Sequence, residues 1–162
     1  CYIENRKMLT KERMIKMKKI LCPVELWNES TNEILEWAVS LSKMMGDELI
    51  LLHVSPDFNE YAAAATIAAS SSSLSQEVMN EAEVRMEKLA RSPIFEGVKV
   101  STLVLTGLAA DLIVEVAEGQ KVDMIVMGTH GRKGVDRFFF GSVAEKVVRT
   151  SSVPVLTIRP TK

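Results

Sequence analysis

Val122-Asp123-Met124-Ile125-Val126-Met127-Gly128-Thr129-His130-Gly131 is the stretch on which the fold turns. Met124 to Met127 are apolar without alternation. That is the pattern of a strand covered on both faces, as in a parallel sheet flanked by helices. The strand runs straight into glycine. Nine residues separate Gly131 from Gly141, and Gly141-Ser142 opens a short helical pattern through Val143, Val147 and Val148. A buried strand, a glycine-punctuated loop over 128–141 and a helix together make one β-loop-α unit.

The same alternation extends outward in both directions. Lys19-Ile20-Leu21-Cys22-Pro23-Val24 is a short apolar strand stopped by proline. Ser30-Thr31-Asn32-Glu33 is a capping box, after which Ile34, Ala38, Leu41 and Met45 recur at helical spacing until Gly46. Glu48 to Val54 is a second, nearly continuous apolar strand. Residues 55–75, with Ala62–Ala65 and Ser70–Ser73, are compositionally odd and read as a partly helical or solvated excursion within the domain. A helix is expected from Gln76 to Arg91, with Val78, Ala82, Met86 and Leu89 on one face. Val98, Val100, Thr102 and Val104 alternate as a third strand. Leu112, Ile113, Val116 and Ala117 mark another helix ending near Gly119, and Val153-Pro154-Val155-Leu156-Thr157-Ile158 is the last strand.

The order β-α-β-α-β-α-β-α-β predicts an α/β fold. It is a single domain with an open five-stranded parallel sheet, helices on both faces and right-handed crossovers, Rossmann-like in plan. Such sheets take ligands at the carboxyl ends of their strands where the winding reverses. Function is therefore sought after strands one, two and four. The glycine loop there has a phosphate-binding logic. Glycine lets backbone approach an anion closely, and amides at a helix start point partial positive charge at it. The Ser142 hydroxyl adds a donor. The pattern is neither a Walker A loop nor a Gly-x-Gly-x-x-Gly fingerprint. Spacing alone leaves open an anion site or a plain β-to-α connection.

Bulk properties bound the rest. At 162 residues the chain is one ordinary domain, 47% apolar and 25% charged. A net charge of −1 argues against a nucleic-acid partner held by bulk electrostatics. Residues 1–19 nevertheless carry seven Lys/Arg against two acids. Residues 1–16 are read as a basic extension, either native or the product of an upstream start, with the domain proper over 17–162. Cys1 and Cys22 suit a reducing, cytoplasmic setting. No apolar run has the length a membrane helix needs, and no signal-peptide h-region is present.

Gly128-x-x-Gly131, nine residues, then Gly141-Ser142 resembles the ATP-binding signature of universal stress proteins. Lys18 to Val24, Leu51-Leu52-His53-Val54, Thr106-Gly107, Val122 to Gly131 and Ser152 to Leu156 resemble further segments of that family, so the likeness covers residues 17–160. It implies an adenine nucleotide alpha hydrolase-like sheet, an adenine nucleotide (ATP, or ADP or AMP, with Mg2+ as its possible companion) and a stress-response role. Carried over, Gly128, Gly131, Gly141, Ser142 and the Val143 backbone hold the phosphates. Pro23, Val24, Val54 and Met127 lie near adenine and ribose, with His130 and Arg132 in the loop. Lys133 and Arg137 stand in the same loop as further charge. The family's usual aspartate two residues after that proline is Glu25 here, which keeps the charge but adds a methylene.

Several residues invite sharper readings. His130 reads as a structural hydrogen-bonding residue, since no Ser-His-Asp arrangement accompanies it. Two histidines and two scattered cysteines give no metal spacing. Phe138-Phe139-Phe140 reads as a lid seat or contact surface, and Asn28-Glu29-Ser30 as an incidental glycosylation sequon. Three functions stay open: a nucleotide-binding regulatory module, a slow ATP hydrolase, and a dimeric interaction protein without nucleotide. The first pairs with an unnamed protein partner. Pro154 in an apolar final strand predicts a sheet edge and a homodimer through Val153 to Ile158.

Overall fold

The structure is a computed structural model, and it describes residues 18–28, 31–45, 48–57, 71–129 and 141–160. Five strands form one parallel sheet: β1 Lys19–Pro23, β2 Glu48–Ser55, β3 Lys99–Thr106, β4 Met124–Gly128 and β5 Val155–Ile158. Their order across the sheet is β3-β2-β1-β4-β5. The winding runs one way from β1 to β3 and the other way from β4 to β5. The reversal therefore falls between β1 and β4, whose register is Ile20 to Met124 and Leu21 to Ile125.

Helices α1 (Thr31–Met45), α2 (Ser71–Ala90), α3 (Ala109–Gly119) and α4 (Ser142–Thr150) make the connections. Alternate strand residues divide between two cores. Cys22, Leu49, Leu51 and Val126 pack with Leu35 and Ala38 of α1 and Met86 of α2. Leu21, Leu52 and Ile125 pack with Ile113 of α3 and Val147 of α4. Helices cover both faces, as the unbroken apolar strands require.

Asp123 closes the opposite end of the sheet from the strands' carboxyl ends. Its Oδ2 accepts the backbone N–H groups of Lys18 and Lys19 at 2.7 and 2.9 Å. This ties the start of β4 to the start of β1, so the aspartate of the quoted stretch is structural.

Several boundaries differ from the expectation, three of them informatively. The second helix starts at Ser71, five residues before Gln76, and takes in part of the serine run. Serine's weak helix propensity does not stop a helix whose far end is anchored by Ala82 and Met86. The third strand spans Lys99–Thr106, so the expected alternation from Val98 stops two residues short. The last strand begins at Val155, and Val153 and Pro154 precede it. There the Ser151 hydroxyl holds a local turn with Val153, and Pro154 has no N–H to give to a ladder. The Pro154 carbonyl still accepts from Ile125 at 2.9 Å. The basic segment 1–16, the alanine run 62–65, Ser30 and Gly46 lie outside the described residues.

Candidate functional site

The carboxyl ends of β1, β2 and β4 open onto a cleft of about 750 Å³, within the roughly 300–1,000 Å³ of small-molecule sites. Its floor begins where β1 leaves the sheet. Val24 donates its N–H to Leu52 at 2.8 Å. The Val24 carbonyl accepts from His53 Nδ1 at 2.9 Å, which makes Nδ1 the protonated ring nitrogen. His53 is thus a buried brace between β1 and β2. Its ring meets Trp27 at 5.1 Å between centroids and 64° between planes. The Arg85 guanidinium lies 5.3 Å from the Trp27 ring, and Arg85 pairs with Glu81 at 2.7 Å. This chain of contacts joins the exit of β1 to α2.

The far wall is the start of α4. Thr129 donates to Ile158 at 2.8 Å, and Gly141 donates to Thr129 at 2.7 Å. The entry to α4 is thereby stapled to the ends of β4 and β5. Gly141 is the N-cap and offers no side-chain cap, and the first helical bond runs from Glu145 to Gly141 at 2.9 Å. The amides of Ser142, Val143 and Ala144 have no carbonyl four residues back within the helix. All three residues line the cleft. Three amides at the positive end of a nine-residue helix make a seat for an anion.

The charges in the cleft set its polarity. Among the described residues its two carboxylates are Glu25, after β1, and Glu81, on α2. The α4 side, from Met127 to Thr129 and Gly141 to Ala144, contributes no acid among the described residues. A polyanion is repelled from the first side and attracted to the second. Val24, Val54 and Val78 give the β1–β2 side apolar lining beside those carboxylates.

Nine residues singled out from sequence come together here: Pro23, Val24 and Glu25 from β1 and its exit, Val54 from β2, Met127 and Gly128 from β4, and Gly141, Ser142 and Val143 at α4. His130, Gly131 and Arg132 lie outside the described residues, as do Lys133, Arg137 and Phe138 to Phe140. Sequence reasoning missed Trp27 and Asn28, which the turn after β1 delivers, and Val78 and Glu81, which α2 delivers. The position of Trp27 and Asn28 just beyond a strand's carboxyl end was the available signal.

Cys22 takes no part in the cleft. Burial pushes its thiol up to about 12, so no thiolate forms there near neutral pH. Among the described residues no group of three His, Cys, Asp or Glu side chains is arranged to hold a metal, and no helix is long and apolar enough to cross a membrane.

An open parallel sheet whose winding reverses between β1 and β4, with helices on both faces, defines the class of doubly wound α/β proteins. Within that class the chain belongs to the Universal stress protein family, whose match spans residues 16–159. Universal stress protein MJ0531 of Methanocaldococcus jannaschii is 32% identical over 145 residues, which is 90% of this chain and 84% of that protein. Universal stress protein MJ0577 of the same organism is 30% identical over 154 residues, 88% of this chain and 94% of that protein. The solved structure of MJ0577 superposes with a TM-score of 0.70 at 28% identity, over 91% of this chain and 99% of its own. A universal stress protein from Archaeoglobus fulgidus, solved in complex with dAMP, shares the fold with a TM-score of 0.57 at 20% identity, over 89% of this chain and 99% of its own.

Proposed function

We propose that the cleft binds an adenine nucleotide, and that the protein acts as a nucleotide-responsive module of a stress response. ATP is the ligand the two ends of the cleft suit best, with ADP and AMP as shorter occupants of the same place. The observation that carries this reading is that Ser142, Val143 and Ala144, the first turn of α4, line the cleft opposite the exits of β1 and β2. The triphosphate rests on Gly128, Gly141, Ser142 and the Val143 amide, completed by Gly131 with His130 and Arg132. Adenine and ribose lie against Pro23, Val24, Val54 and Met127, and Glu25 accepts from the ribose. That a universal stress protein of the same fold from Archaeoglobus fulgidus was solved in complex with dAMP supports this reading. An accompanying Mg2+ is held mainly by phosphate oxygens and water, as is usual for this ion.

A binder is preferred over a hydrolase because the α4 side of the cleft brings no titratable side chain to the phosphates among the described residues. The site is read as a sensor whose occupancy a protein partner detects, in a reducing cytoplasm that keeps Cys22 as a thiol. Two subunits join through β5.

Ligand released from freshly purified protein, identified by mass spectrometry, tests the assignment together with titration of ATP, ADP, AMP and GTP. The expected result is an adenine nucleotide in the released fraction, one site per chain and a preference for ATP over GTP. Failure to bind any adenine nucleotide refutes it. Phosphate release from ATP and Mg2+ at enzymatic rates replaces the binder with the hydrolase.

A further inference from the structure

The exit from β1 contains a device that the general nucleotide reading leaves unused. Glu25 to Asn28 form a turn closed by the Asn28 N–H on the Glu25 carbonyl at 3.0 Å. Thr31 Oγ1, at the first residue of α1, donates to the same carbonyl at 2.8 Å. Two donors on one carbonyl occupy both of its lone pairs and pin the Glu25 backbone. The extra methylene of glutamate is therefore absorbed in the side chain alone. That side chain carries one more torsion than aspartate and loses more rotamer freedom when ordered. Asn28 Nδ2 reaches back to Glu25 Oε2 at 3.3 Å. Both residues are half-buried and both line the cleft.

We infer that Asn28 is a positioning residue for the Glu25 carboxylate, holding it as the acceptor for the vicinal hydroxyls of a nucleotide's ribose. The inference rests on the nucleotide reading of the cleft. An ionised carboxylate offers about four acceptor sites, of which the Asn28 amide takes one. Two ribose O–H donors can share those that remain. A glutamate ordered before the ligand arrives spends less binding free energy on immobilisation, which is the general advantage of preorganisation. The Asn28 amide thus offsets the departure from aspartate at this position. It also makes the site selective for a nucleotide with an intact ribose over one lacking its hydroxyls.

The test compares ATP with 2′,3′-dideoxy-ATP by calorimetry. Wild type should prefer ATP about tenfold, the discrimination a hydrogen bond to a charged group provides. Asn28→Asp keeps a turn-forming residue of the same size but sets a like charge against Glu25. In Asn28→Asp the preference should fall to within twofold of unity. Glu25→Ala should behave alike, and the double variant should lose nothing further. Asn28→Ser, which forms the turn but is too short to reach the carboxylate, carries the same expectation and serves if the aspartate variant unfolds. A tenfold preference retained in the folded Asn28 variants overturns the inference. So does an equal loss of both ligands. Wild type that binds the two ligands equally sinks this inference alone, whereas wild type that binds neither sinks the nucleotide reading and this inference with it.

Discussion

Single residues in this chain are decided by what surrounds them more than by their type. Gly141 has φ −60° and ψ 144°, an extended conformation open to any residue. Its backbone therefore does not require glycine. Gly107 is the opposite case. It adopts φ +145°, and a Cβ there would stand 3.1 Å from Leu112 Cδ1, so the turn after β3 needs glycine on steric grounds. Cys22 carries a prediction of its own. In the unfolded chain its thiol ionises near the ordinary value of 9.0, while in the folded protein burial holds it protonated up to about 12. Its contribution to stability is complete below pH 9 and is lost as pH rises toward 12. The slope from this group is at most about 1.4 kcal/mol per pH unit. Urea midpoints between pH 9 and 11 should fall more steeply for wild type than for Cys22→Ala. Parallel slopes would show that the thiol is already ionised in the fold.

Among the elements, the strands were the most legible and the helix limits the least. β2 and β4 announce themselves because a strand buried on both faces has almost no polar residue, and Leu49 to Leu52 and Ile125 to Met127 are all buried. The α4 side of the cleft was legible for a related reason, since Gly128, Gly141 and Ser142 sit within a few residues of a strand end and a helix start. Glu81 and Val78 were not legible, because α2 brings them to the cleft through the packing of Ala82 and Met86, which no local pattern reports. The end of α3 shows the same limit. Gly119 reads as the helix stop, yet it is the last helical residue, and Lys121 takes the left-handed conformation at φ 52°. Val122 donates to Ala117 at 3.0 Å and Lys121 to Glu118 at 3.1 Å, a Schellman closure with the wrong residue for its left-handed position. Lys121→Gly should therefore stabilise the protein by about 0.5–1 kcal/mol, the relief of left-handed strain less glycine's entropy. Chemical denaturation reads this directly, and a loss of stability would show that the Lys121 side chain contributes more than its strain costs.

At the scale of the whole molecule, the sheet has two unlike edges. β3 exposes Lys99, Thr102 and Thr106 along its edge, polar side chains that discourage further pairing. β5 is a four-residue strand, Val155 to Ile158, paired among the described residues with β4 alone and apolar apart from Thr157. Val148, 47% exposed on α4, adds apolar surface on the helix that leads into β5. A two-fold partner laid along β5 would bury that edge. Val155 also packs against the core beneath α3 and α4, so a charge there would disturb the fold as well as the edge. Light scattering should find wild type dimeric and Thr157→Lys monomeric at equal concentration, and a monomeric wild type would remove β5 as an interface. The central claim concerns the cleft at the winding reversal, and calorimetric titration of ATP into wild type and Gly141→Val tests it most directly. The account predicts binding at one site per wild-type chain and no measurable binding to a variant that retains its circular dichroism and most of its stability, because the valine side chain occupies the phosphate seat without straining the backbone. Equal ATP affinity in a folded Gly141→Val protein would contradict it.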